Sequence, residues 1–144
     1  MVVDYSDMNL LEKNQIMEYL KNMLFSRDEI TFAYIHGSFL RSESFRDIDI
    51  ALYCNSMPAS PLDYELDLEV ELSLAKKLPC DADVRILNGA PLSFKYSVIK
   101  DGNELFHKDL NLIADFKSIT IRDYLDFSFH TKNYMREAFR GAIQ

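Results

Sequence analysis

Asp47 and Asp49 stand two residues apart at the start of an apolar run, in the stretch YIHGSFLRSESFRDIDIALY from Tyr34 to Tyr53. Side chains alternate along a strand, so both carboxylates project from one face while Ile48 and Ile50 project from the other. Two anions held close on a rigid strand repel each other, and a shared divalent cation with hard oxygen preference removes that penalty. Upstream, Gly37 and Ser38 end another apolar run, with eight residues between Ser38 and Asp47. Gly37 permits a sharp turn, and Ser38 then stands where a helix can begin, with backbone N–H groups and a hydroxyl available to a phosphate. A third carboxylate comes from DADVRIL (81–87), where Asp83 faces the same way as Asp81 and Arg85. If that strand lies beside DIDIALY, three carboxylates can hold two Mg²⁺ ions for in-line phosphoryl or nucleotidyl transfer. An Asp-x-Asp pair alone is most often simply solvated, and a lone Gly-Ser says less. The ordered combination of apolar strand, Gly-Ser, short linker, Asp-x-Asp and a later Asp-bearing strand is what points to nucleotidyl transfer.

These residues need a frame. MNLLEKNQIMEYLKNMLF (8–25) places Leu10, Met17, Leu20 and Leu24 on one helical face, with Ser6 or Asp7 as cap. EITFAYIHG reads as a strand apolar on both sides, hence inside a covered sheet. SPLDYELDLEVELSLAKKL (60–78) alternates like a strand. Its Ser-Pro start, acidic front, basic rear and wealth of Leu, Glu, Ala and Lys nevertheless predict a helix stopped by Pro79. DADVRIL is then a strand, PLSFKYSVIKDG (91–102) a short helix closed at Gly102, and NELFH (103–107) a last strand. From about 109 the pattern is helical to the end, with a break expected near Ser118–Ile119. The expected fold is α+β, a mixed sheet of about four strands with flanking helices mainly on one side, in a single domain spanning 1–144.

The 144-residue chain suits one core, and its net charge of −7 argues against a protein that grips long nucleic acid through phosphates. Small anions remain accessible through bridging metal ions. Cys54 and Cys80 have no zinc-site spacing and read as small buried apolar residues. The N-terminus lacks the basic start and apolar run of a secretion signal, and no apolar run reaches membrane-spanning length, so a cytoplasmic location is expected.

The segments GSFLRSESFRDIDIAL and DADVRILNGAPLSFKYSVIKDGNELFH resemble the DNA polymerase beta-type nucleotidyltransferase superfamily. More narrowly, they resemble the minimal nucleotidyltransferases of prokaryotes (MNT), which pair with HEPN-domain proteins. The resemblance extends over nearly the whole chain. It implies that Gly37 and Ser38 bind nucleotide phosphates, that Asp47 and Asp49 are shared metal ligands, and that Asp83 is the third carboxylate, binding one metal and helping to deprotonate the acceptor. Asp83 fits the spacing to Leu87-Asn88 better than its rival Asp81. The eight-residue linker is shorter than the family's usual ten or so, and Ser42 follows Arg41 where the family often has Gly. The implied role is that of an antitoxin: with Mg²⁺, it transfers AMP from ATP to a tyrosine of a cognate HEPN ribonuclease toxin. Two other classes compete, a non-catalytic stoichiometric binder and an enzyme that nucleotidylates a small molecule. The second is weakened by how little chain is left to build an acceptor pocket.

Other residues carry weaker signals. His36 reads as a packed strand-end histidine, Arg41 and Arg46 as either triphosphate contacts or solvated charges, and Lys95 and Lys100 as helix surface. Tyr124, Phe127, Phe129, Tyr134 and Phe139 are more aromatic surface than one helix face needs, so that segment either packs as core or presents a partner or oligomer surface.

Overall fold

A computed structural model describes residues 3–4, 10–41 and 44–143. Its elements run β1 (Val3–Asp4), α1 (Leu10–Phe25), β2 (Ile30–His36), α2 (Ser38–Arg41), β3 (Ser44–Phe45), β4 (Asp47–Cys54), α3 (Pro61–Ala75), β5 (Asp81–Ile86), α4 (Leu92–Asp101), β6 (Asn103–His107) and α5 (Leu110–Ile143). The caps expected at Ser6 or Asp7 lie outside the described residues.

Four strands form one sheet in the order β5-β4-β2-β6, while β1 and β3 make a separate two-stranded pair. β2 is antiparallel to both its neighbours, and β4 and β5 are parallel, so the sheet is mixed and the layout α+β as expected. The crossover that a parallel pair requires is supplied by α3.

Helices cover both faces, not mainly one. On one face, Leu20 and Leu24 of α1 and Leu68 and Leu72 of α3 pack with Ile48, Ile50, Leu52 and Val84. On the other, Val98 of α4 and Ile113 of α5 pack with Phe32, Tyr34, Ala51 and Leu87. The physical reason lies in β2, which is buried from Ile30 through Ile35. A central strand with apolar side chains on both sides needs cover on both.

The alternating leucines of 60–78 do form a helix. Ser60 is the N-cap residue and Pro61 occupies the first turn, although the Ser60 hydroxyl donates to Asp63 rather than accepting a backbone N–H. The helix ends at Ala75; the C-cap residue Lys76 takes a left-handed φ of 55° and its N–H donates to Ser73 O. Lys76 and Lys77 thus lie beyond the helix, and it stops before Pro79. Two side chains in it have a further task. β5 is an edge strand, and the outward N–H groups of Val84 and Ile86 donate to the carboxylates of Glu69 and Glu65, each at 2.8 Å. The helix therefore closes the sheet edge that would otherwise present unpaired donors. At the far end of β4, the Asn88 amide accepts from Cys54 N at 2.8 Å and donates to Cys54 O at 2.9 Å, which fixes the turn after β5.

α5 is one continuous helix of 34 residues, with no break near Ser118–Ile119. Its first half is anchored by buried Ile113 and Thr120, and Tyr124 stacks on Tyr96 of α4 at 3.8 Å with the rings 5° apart. Beyond that stack Phe127, Phe129, Tyr134 and Phe139 are exposed, so they are not core. Among the described residues, no helix is long and apolar enough to cross a membrane. Cys54 and Cys80 are free thiols, and burial raises the pKa of each to about 11.

Candidate active site

Strand register brings the acidic residues together. In the antiparallel β2–β4 pair His36 stands opposite Asp49, and in the parallel β4–β5 pair Asp49 stands beside Asp83 and Asp47 beside Asp81. All of these residues share one pleat parity, opposite to that of Ile48, Ile50 and Val84, so they project from the face on which α4 and α5 pack. The register separates the two rivals on β5. Asp83 is level with Asp49, whereas Asp81 is exposed at the strand start, level with Asp47.

Gly37 follows β2 with φ of +81°, a conformation that side chains with a Cβ rarely adopt. A Cβ there would also collide with the Asp49 carboxylate at Oδ2. The turn and the carboxylate are thus built against each other, which is why the sequence has glycine at this point. Ser38, exposed, opens the short helix α2.

The electrostatics follow from this crowding. Burial raises the pKa of Asp49 to about 6, and the charges of Asp83 and Asp47 push it the same way, with Arg85 partly offsetting them. Arg85 Nε lies 3.6 Å from Asp83 Oδ1, and its guanidinium sits 5.8 Å from the centre of the Phe94 ring of α4. Phe94 in turn meets His36 edge-on at 5.5 Å. Burial lowers the pKa of His36, and its Nε2 is buried without a hydrogen-bond partner among the described residues. His36 is therefore a packed imidazole at the strand end, as its sequence position implied. Cys80 also borders the acidic group, since Asp47, Asp81 and Asp49 all raise its pKa after burial does.

The donors fit a hard divalent cation in type and in surplus negative charge. Among the described residues, no three carboxylate, thiol or imidazole groups converge closely enough to hold an ion with the side chains as they stand; Asp83 lies beside Arg85 instead. Asp83 is partly exposed, and a change of rotamer would free it from an ion pair of little strength.

The remaining candidates divide. Arg41 is exposed, yet close enough for its charge to act on His36. Arg46 and Lys100 are exposed. Lys95 is only partly exposed. It lines a cavity of about 370 Å³ with Tyr53, Asn88 and Asp115, at the opposite end of β4 from the carboxylates. Sequence reasoning passed over Arg85 as a site residue, although the alternation that selected Asp83 places Arg85 on the same face. It could not have found Phe94, which comes from another element and reaches the site only through tertiary packing.

The family model for "Polymerase beta, Nucleotidyltransferase" matches residues 14–111, a span that contains both the Gly37 turn and all four aspartates. The chain belongs to this nucleotidyltransferase family. No curated protein matches it in sequence. Among solved structures, this nucleotidyltransferase is similar to a chain of the tri-AMPylated Shewanella oneidensis HEPN toxin in complex with MNT antitoxin. The TM-score is 0.63 at 21% identity, covering 92% of this chain and 99% of that one. A chain of a toxin–antitoxin complex with AMP-PNP gives a TM-score of 0.65 at 21% identity, over 88% of this chain and 98% of that one. A chain of a toxin–antitoxin MntA-HepT structure gives 0.62 at 20% identity, over 91% and 99%. At these identities the likeness establishes a shared fold.

Proposed function

We propose that this nucleotidyltransferase is the antitoxin of a HEPN/MNT pair, located in the cytoplasm, and that it transfers AMP from ATP to a tyrosine hydroxyl of its HEPN partner. The observation that carries the reading is the placement of Asp49 against the Gly37 turn with Asp83 beside it. The fold shared with a chain from a complex of a tri-AMPylated HEPN toxin with MNT antitoxin, and with a chain from a toxin–antitoxin complex with AMP-PNP, supports the choice of partner and nucleotide.

Asp47, Asp49 and Asp83 would hold two Mg²⁺ ions, which when bound lower the charge on the triphosphate and on the attacking oxygen. The backbone at Gly37 and Ser38 receives the outer phosphates. The tyrosine oxygen bonds to the α-phosphorus as the bond to the bridging β-phosphate oxygen breaks, and pyrophosphate leaves. Asp83 takes the phenolic proton, for which it must leave Arg85. A docked protein supplies both the nucleophile and its positioning, a contribution worth several orders of magnitude in rate.

The test is intact-mass spectrometry of the HEPN partner after incubation with this protein, ATP and Mg²⁺. One or more added AMP groups are expected. Asp83→Asn should keep ATP affinity within about threefold and lose transfer, because the base acts on the acceptor and not on the triphosphate. An unmodified partner whose ribonuclease activity is still suppressed, by wild type and by the Asp47→Asn/Asp49→Asn double variant alike, would establish the stoichiometric binder instead.

A further inference from the structure

Two apolar surfaces have no cover among the described residues. Along α3, Leu62, Leu66, Val70 and Leu74 recur every four residues and are all exposed. α3 carries five acidic residues and no basic one; Glu65 and Glu69 bond to β5 and Glu71 pairs with Arg27, so Asp63 and Asp67, both exposed, are the acids that flank the stripe on its outer side. The other surface is the end of α5. The spacing of seven that buries Ile113 and Thr120 continues to Phe127 and Tyr134, yet these are 62% and 73% exposed because the rest of the fold ends short of them. Phe129, Met135 and Phe139 are exposed as well, so this part of the helix is apolar on more than one side. A helix of that kind requires burial.

The charges of the two surfaces are opposite. From Ser128 to Gln144 there are three basic residues, Lys132, Arg136 and Arg140, against the single acid Glu137, so the stretch is positive in a chain that is −7 overall. Lys132, Arg136 and Arg140 are all exposed. α3 and the buried part of α5 pack on opposite faces of the sheet. The complement to one copy's α5 is therefore offered by another copy's α3.

We infer that the protein self-associates by seating the basic, aromatic end of α5 of one copy on the acidic, leucine-lined stripe of α3 of a second. The apolar side chains supply the buried area and the flanking charges set partner and orientation. The inference goes beyond the proposed transfer reaction and is independent of it, since it needs neither nucleotide nor a HEPN protein.

The test is sedimentation equilibrium of the full chain alone over a wide concentration range, at low and high salt. Concentration-dependent association that weakens with salt is expected. Arg136→Glu/Arg140→Glu and Asp63→Lys/Asp67→Lys change only exposed positions, and circular dichroism should show both variants folded. Each alone should associate about tenfold or more weakly than wild type. Mixed together they should associate again, because the acidic α5 of one now faces the basic α3 of the other. A chain that stays monomeric throughout, variants that associate like wild type, or reversals that do not rescue each other would overturn the inference. A monomer would leave the α5 surface to a different protein.

Discussion

Gly37 and Asp49 are one structural unit, because the carboxylate occupies the space in which any other residue would place its Cβ. Gly37→Ala combines that collision with an unfavourable φ of +81°, and should cost roughly 1–3 kcal/mol in urea unfolding while abolishing nucleotide binding. Asp49 itself opposes folding at neutral pH. Its pKa in the folded protein, about 6, lies above the ordinary 3.8, so the folded state retains a proton that the unfolded chain has lost between those values. Stability is then fullest below about pH 4 for this group and falls as pH rises through 6. Asp49→Asn should remove that slope and stabilise the metal-free protein at pH 7 by on the order of 1 kcal/mol, a figure reduced because the carboxyl is only half-buried. Unfolding curves from pH 4 to 8 decide it. Equal slopes for the variant and wild type would mean that neither burial nor the neighbouring carboxylates raise the Asp49 pKa in the folded protein.

At the scale of elements, α3 governs β5. Glu65 and Glu69 are one turn apart, so they align with the two outward N–H groups of β5. Those donors flank the peptide segment carrying Arg85 and lie next to Asp83. Glu65→Ala/Glu69→Ala should destabilise the fold by about 1–3 kcal/mol, since it leaves two partly buried donors unsatisfied. It should also speed amide exchange at Val84 and Ile86 and lower transfer activity through a less rigid Asp83. Replacement by glutamine keeps an acceptor oxygen in place and should restore most of the protection. Exchange that is unaltered in the double alanine variant would remove α3 from this role.

For the molecule as a whole, the core and the exposed end of α5 are separable. Among the described residues burial ends at Thr120, and the last aromatic stack is Tyr96–Tyr124. Removing residues 128–144 should therefore change folding stability by less than about 0.5 kcal/mol, as measured by urea unfolding at a concentration where association is negligible. A large loss would show that the overhanging turns support the domain. The same division separates two kinds of surface. The carboxylate face is polar and suited to ions and phosphates, whereas α3 and the end of α5 are apolar with opposite charge, as association requires.

Periodicity and side-chain chemistry were enough to locate the four strands of the main sheet, though not the short β1 and β3, together with the α3 helix hidden under alternating leucines and the Asp47/Asp49 pair behind a Gly-Ser turn. Each of these depends on local rules: pleat alternation, Ser-Pro at a helix start, and left-handed backbone at glycine. Asp83 was also legible, because Asp81, Asp83 and Arg85 alternate with apolar neighbours. Its level on the sheet was not. Only the parallel register between β4 and β5 sets Asp83 beside Asp49, and register arises from the packing of whole strands and their crossover helix. Tertiary structure likewise decided that helices lie on both faces, that Phe94 and Arg85 border the site, and that Glu65 and Glu69 serve an edge strand. It also decided that the aromatic residues after Tyr124 are exposed. The amphipathic pattern of α5 says that a helix has an apolar face; how far the rest of the chain reaches along that face depends on the size of the sheet and the position of α4, which no local pattern encodes.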